Sequence, residues 1–182
     1  MKKFPFAGLG LAIAIASATS RAANAASPGM LPSQFPGRIL AAHNVVRAQA
    51  GAPGLVWDSG LGTEAAKYAL VLAVTNVFQH SDRRARLGTG ENLWMGTRGA
   101  YSVETMVGHW ASERRYFVPG TFPNNSRSGN WADIGHYTQM IWPTTTRVGC
   151  ALASNATTDY LVCRYSPAGN IDGRVIQASA SR

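Results

Sequence analysis

Past an apolar stretch near its start, the chain alternates between segments with hydrophobic residues at helical spacing and short runs of strand character. In residues 37–50, Ile39, Leu40, Val45 and Val46 follow a helical period, and Gly51, Pro53 and Gly54 close the segment. A second helix is predicted over residues 59–74, opening on Ser59 as N-cap with Glu64 early and apolar residues following. A third fits residues 102–116, again opened by a serine. Strand character appears at residues 93–95, 148–153 and 160–165. The last two runs are joined by a polar connection rich in Asn, Thr and Ser, which predicts a β-hairpin. Helical and strand segments interleave without regular βαβ alternation, so the expected fold class is α+β, built in layers.

The third helix carries the sharpest pattern. Val103, Met106, Val107, Trp110 and Phe117 cluster on one face at about 100° per residue. Glu113 projects from the edge of that face, where a carboxylate either snorkels at a core boundary or lines a polar cavity, because an unpaired buried charge is too costly to keep. Arg114 falls nearer the centre of the stripe, so the helix is expected to bend or stop there.

The N-terminal stretch changes the picture of the whole. Lys2 and Lys3 precede an apolar run over residues 4–18, shorter than the roughly 20 residues of a spanning helix, and an Ala23-Asn24-Ala25 cleavage site follows. The expected organisation is a signal peptide at 1–25, a short leader at 26–36, one domain at 37–176 and a tail at 177–182. The product is expected to be secreted, extracellular or periplasmic, with no transmembrane segment in the mature chain. Loss of Lys2, Lys3 and Arg21 lowers the net charge from +8 to +5. The one dense basic group, Arg83, Arg84 and Arg86, is either a solvated loop or a site of weak attraction to anionic surfaces. No nucleic-acid-binding module is present, and export argues further against one.

Two cysteines occur, Cys150 and Cys163, one in each run of the predicted hairpin. In an oxidising compartment they are expected to pair across the strands. A cysteine metal site or redox pair lacks further thiols and a Cys-x-x-Cys motif.

Several segments then combine into a resemblance: GHYTQMIW at 135–142, YLVCRYSPAGN at 160–170, HNVVRAQAG at 43–51, LVWD at 55–58, GENL at 90–93, and Trp110 with Glu113. Together, in this order, they resemble the CAP superfamily of cysteine-rich secretory proteins, antigen-five proteins and pathogenesis-related class 1 proteins. The resemblance implies a three-layer α-β-α sandwich and a central cavity with a tetrad of His80, Glu91, Glu113 and His136, flanked by Tyr137, Thr138 and Gln139 as bracing groups. It is similar to bacterial-type members in having only the hairpin cysteine pair, whereas plant and venom members carry more disulfides.

Two neutral imidazoles with carboxylate oxygens and water make a reasonable site for Zn²⁺ or a similar divalent ion, with His80 and His136 as ligands and Glu91 and Glu113 near. The bland alternative is two His–Glu pairs that satisfy one another. His43 is expected to hold helix packing, and His109 to lie at the surface. Three function classes follow: a secreted binding module for a metal and a small hydrophobic ligand, lipid or cell-surface component; a metal-assisted hydrolase with Glu91 or Glu113 as general base; and an interaction protein with a structural tetrad. No Gly-x-Ser-x-Gly, His-Glu-x-x-His or unpaired cysteine supplies an activated nucleophile, which weakens the enzyme reading.

Overall fold

A computed structural model describes residues 32–177; the expected signal peptide and its cleavage site lie outside the described residues. Helix α1 spans Phe35–Gln49 after a 3₁₀ turn at Pro32–Gln34. It starts two residues before the predicted helix, because Pro36 sits in its first turn, where no backbone donor is needed. Strand β1 (Val56–Trp57) is too short to show a period and is not predicted by the pattern. Helix α2 runs Ser59–Thr75, and its N-cap is Asp58, whose carboxylate accepts from the Leu61 amide, rather than Ser59.

Strand β2 (Gly90–Thr97) is longer than the predicted core at 93–95. Helix α3 spans Val103–Ala111 with Ser102 as N-cap, and residues Ser112–Tyr116 tighten into a 3₁₀ turn. That change of pitch leaves Arg114 exposed while Phe117 is buried, resolving the conflict that Arg114 creates in a continuous helical stripe. After β3 (Gly120–Thr121), the two-turn helix α4 (Gly135–Ile141) ends at Trp142, whose extended backbone precedes Pro143. Strands β4 (Arg147–Ser154) and β5 (Thr158–Ser166) form the predicted hairpin, and β6 (Val175–Ile176) pairs with β3.

The main sheet has the order β1-β4-β5-β2, with β1 parallel to β4 and the other pairs antiparallel. Residues of β5 alternate between two cores. Tyr160 and Val162 pack with Ala65, Ala69, Leu72 and Ala73 of α2, whereas Leu161, Cys163 and Tyr165 pack with Ile39, Met106, Trp110 and Met140 of the other helices. The result is helix–sheet–helix layering, and β5 is buried on both faces. Gly149 lets α2 come this close, since a Cβ there would strike the backbone of Gly62 and Asp58. Cys150 and Cys163 are directly opposed in the β4–β5 register and form the expected disulfide.

Arg47 locks the helical layer. Its buried guanidinium donates to the carbonyls of Met140 (2.7 Å), Trp142 (3.0 Å) and Thr145 (3.0 Å), tying α1 to the C-terminal end of α4. Burial pushes its pKa down to about 10.

Candidate metal centre

Two His–Glu pairs approach the edge strand β2 from opposite faces of the sheet. Glu91, the second residue of β2, turns toward the α2 face with Leu93, where its carboxylate is wholly buried. It accepts from His80 Nδ1 (2.7 Å), from the Ser81 amide (3.0 Å) and from Ser81 Oγ (2.9 Å). Arg164, its register partner on β5, adds an ion pair at 3.0 Å. Burial pushes the Glu91 pKa up, but the His80 hydrogen bond, the Arg164 charge and the two Ser81 bonds together hold it below the usual carboxylate range. Glu91 is therefore ionised at neutral pH.

On the other face, the 3₁₀ turn after α3 delivers Glu113 to the start of α4. One oxygen accepts from the amides of His136 (2.9 Å) and Tyr137 (3.0 Å), and the other from His136 Nδ1 (2.6 Å). Helix α4 has no side-chain cap of its own, so this carboxylate serves as its N-cap from a distant part of the chain. The indole of Trp110 stacks on the His136 ring at 6.0 Å and donates to the Leu93 carbonyl at 3.0 Å, fixing the imidazole plane.

The consequence for the imidazoles is the same on both sides. An ionised carboxylate can only accept, so each Nδ1 donates to its glutamate and each Nε2 keeps its lone pair in the neutral ring. His80 has a 54 % exposed side chain and His136 a 32 % exposed one, so both nitrogens belong to accessible rings. This is the carboxylate–histidine arrangement that orients imidazoles for metal ligation. No three ligand atoms of His80, Glu91, Glu113 and His136 lie within 4.8 Å of one another among the described residues, so the carboxylates act on the imidazoles rather than forming a converged cage with them. Each pair presents one accessible imidazole oriented by its carboxylate, a donor chemistry that suits a divalent ion.

Tyr137, Thr138 and Gln139, expected beside the cavity as bracing groups, are buried and make structural contacts. Thr138 Oγ1 meets Asn170 Oδ1 at 2.8 Å, and Asn170 donates to the Gly135 carbonyl. Gln139 accepts from the Gly169 amide at 3.0 Å, and a Cβ on Gly90 would collide with its amide group. Together they pin the loop after β5 and the start of β2 to α4.

His43 has the packing role expected of it. Nδ1 donates to the Ile39 carbonyl (2.8 Å), Nε2 accepts from Tyr165 Oη (2.8 Å), and Asn92 donates both to that hydroxyl (3.2 Å) and to the His136 carbonyl (3.1 Å). The sulfurs of Cys150 and Cys163 lie close to His43, but they are bonded to each other and offer no metal site. His109 is exposed as expected, and it also accepts from Trp94 Nε1 at 2.8 Å.

Ser81, Asn92, Arg164 and Tyr165 are the supporting residues that pattern reasoning misses. Arg164 had a signal: an arginine inside the apolar run of a central strand must find a charged partner.

The cysteine-rich secretory protein family, CAP, matches residues 40–165. The chain belongs to this family. Pathogenesis-related protein 1B of Nicotiana tabacum is 35 % identical over 136 residues, covering 74 % of this chain and 76 % of that protein. Golgi-associated plant pathogenesis-related protein 1 of Homo sapiens is 33 % identical, covering 76 % of this CAP chain and 86 % of that one. Secreted protein RBT4 of Candida albicans is 34 % identical over 87 % of this chain, but only 41 % of its own length is matched. The crystal structure of NaASP2 with Zn²⁺ superposes with a TM-score of 0.64 at 26 % identity, covering 84 % of this chain and 88 % of that one. The α-β-α CAP fold is thereby shown. These relatives are plant, human and fungal and lend no support to the bacterial-type placement; a low cysteine count reflects how many bridges a fold uses, not its lineage.

Proposed function

We propose that this CAP chain is an exported binding protein that holds a divalent cation, zinc foremost, through Nε2 of His80 and Nε2 of His136. The observation that carries this reading is the commitment of each Nδ1 to a carboxylate, at 2.7 and 2.6 Å, which fixes the tautomer that ligation needs. The zinc in the NaASP2 structure supports the choice of metal. A bound zinc would supply positive charge and Lewis acidity at the mouth of the site. His80 and His136 hold the ion, while Glu91 and Glu113 orient the rings and keep the Nδ1 protons in place. Export rests on the character of residues 1–25 and on the secreted fungal relative. The ligand presented to the ion or to its rim is a small hydrophobic molecule, a lipid or a cell-surface component.

Binding is favoured over hydrolysis by the state of the two glutamates. Glu91 is wholly buried and engaged by Arg164, and Glu113 is engaged by two helix amides, so neither is a free base for a water molecule. Zinc titration of chelator-stripped protein tests the reading: His80→Ala and His136→Ala should each weaken binding by at least about tenfold. Undiminished binding in both variants would put the ion elsewhere and make the tetrad structural.

A further inference from the structure

Two guanidinium groups share one carboxylate on the α2 face of the sheet. Arg164, only 5 % exposed, gives Nη2 to Glu91, and Arg86 brings its Nε to 3.9 Å from the same carboxylate. Arg86 is held by carbonyls, with Nε on Ser81 (3.3 Å) and Nη1 on Thr89 (3.1 Å). Carbonyls accept hydrogen bonds without cancelling charge, so one positive charge is left over. Arg164 Nε is buried and has no hydrogen-bond partner, an arrangement proteins generally avoid because an unsatisfied buried donor is costly. The Tyr68 ring packs against that guanidinium, with its centroid 5.6 Å from the central carbon.

Both arginines line a cleft of about 240 Å³ between the first turns of α2 and the segment 85–89. That space exceeds the roughly 150 Å³ that accommodates benzene in an apolar cavity. Leu61 and Leu87 give it apolar walls, and Thr89 a hydroxyl. Glu64 also lines the cleft and its charge acts on Arg164, while Lys67 engages the same carboxylate at 2.6 Å, so the excess of one positive charge is the one counted with Lys67 included.

We propose that this cleft binds a small organic carboxylate, whose oxygens lie against Arg164 and Arg86 and whose short apolar body lies against Leu61 and Leu87. Inorganic phosphate would answer the excess charge but leave the leucine walls uncovered. A neutral alcohol would cover the walls but leave the guanidinium charge unanswered. The proposal is independent of the metal reading, because none of these cleft residues is a zinc ligand in it.

The test is an NMR titration of metal-free protein at about pH 7, where an aliphatic carboxylate is ionised. The probes are hexanoate, inorganic phosphate and hexanol. Hexanoate should shift the Nε–H signals of Arg164 and Arg86 and the amides of residues 85–89 in a saturable way, and bind more tightly than either other probe. Arg164→Gln strands the buried Glu91 carboxylate and threatens the fold, so the diagnostic variants are Arg86→Gln, which removes a charge, and Leu87→Glu, at an 83 % exposed position, which adds a repelling one. Each should weaken hexanoate by about tenfold or more. No saturable shift at these residues, equal or tighter binding of phosphate or hexanol, or undiminished hexanoate binding in both variants would overturn the proposal.

Discussion

Glu91 and Glu113 hold equivalent positions against their imidazoles but differ in what else depends on them. Replacing either with glutamine weakens the hold on an Nδ1 proton, and zinc affinity should fall about 10- to 100-fold in both variants. Glu91→Gln also leaves Arg164 charged and buried without its partner, which should cost about 3–5 kcal/mol of stability, whereas Glu113→Gln, on a partly exposed carboxylate, should cost much less. Calorimetric zinc titration alongside denaturant unfolding separates the two effects; equal stability losses would mean that the Arg164 pair is not what distinguishes them. His43 gives a second residue-scale expectation. Burial, reinforced by the Arg47 charge and opposed by the bond to Ile39, pushes its pKa down to about 4 from the ordinary 6.5. The unfolded chain therefore accepts a proton that the folded one refuses. The stability this contributes is complete above about pH 6.5 and is lost as the pH falls toward 4, on the order of 3 kcal/mol across that window. In denaturant melts between these values, His43→Gln should flatten the pH slope, and an unchanged slope would assign the titration to another group.

Among the elements, those with long one-sided stripes were the legible ones. The helices at 37–50 and 59–74 and the cysteine hairpin appear within a few residues of their observed ends, because amphipathic spacing and turn chemistry are local properties. What sequence does not display is any element whose limits are set from outside. The two-residue β1 exists through its pairing with β4, and the 3₁₀ tightening at Ser112–Tyr116 is a tertiary compromise between Arg114 and Phe117. Arg47 is the element-scale test. Arg47→Met removes the donors for three carbonyls at and beyond the end of α4 and should cost about 3 kcal/mol or more, with Arg47→Lys a poor rescue because one ammonium cannot reproduce the fork. Urea unfolding of the two variants checks this, and a lysine variant as stable as the parent would refute the fork argument.

At the scale of the whole molecule, the layers and the family were legible, whereas the pairing of His80 with Glu91 and of His136 with Glu113 was not, since no local spacing rule joins residues 11 and 23 positions apart. Only the motifs around them point to the group. The disulfide is the global brace: thiol labelling without reductant should find neither cysteine, and the double replacement by alanine should lower stability by about 3 kcal/mol for a separation of 13 residues. Full labelling of both would deny the bridge. Helix α4 bears on how such a molecule comes together in time. Its seven residues are too few to persist alone, its first amides are held by Glu113, and its last carbonyls by Arg47. Both holders lie on other parts of the chain, so α4 cannot nucleate the structure and completes only when α1 and the turn after α3 have arrived. Once formed, it also cannot fray by itself. Native-state hydrogen exchange at the amides of residues 138–141 should proceed through the same rare opening as α1, and the histidine carried on its first turn stays as rigid as the core behind it.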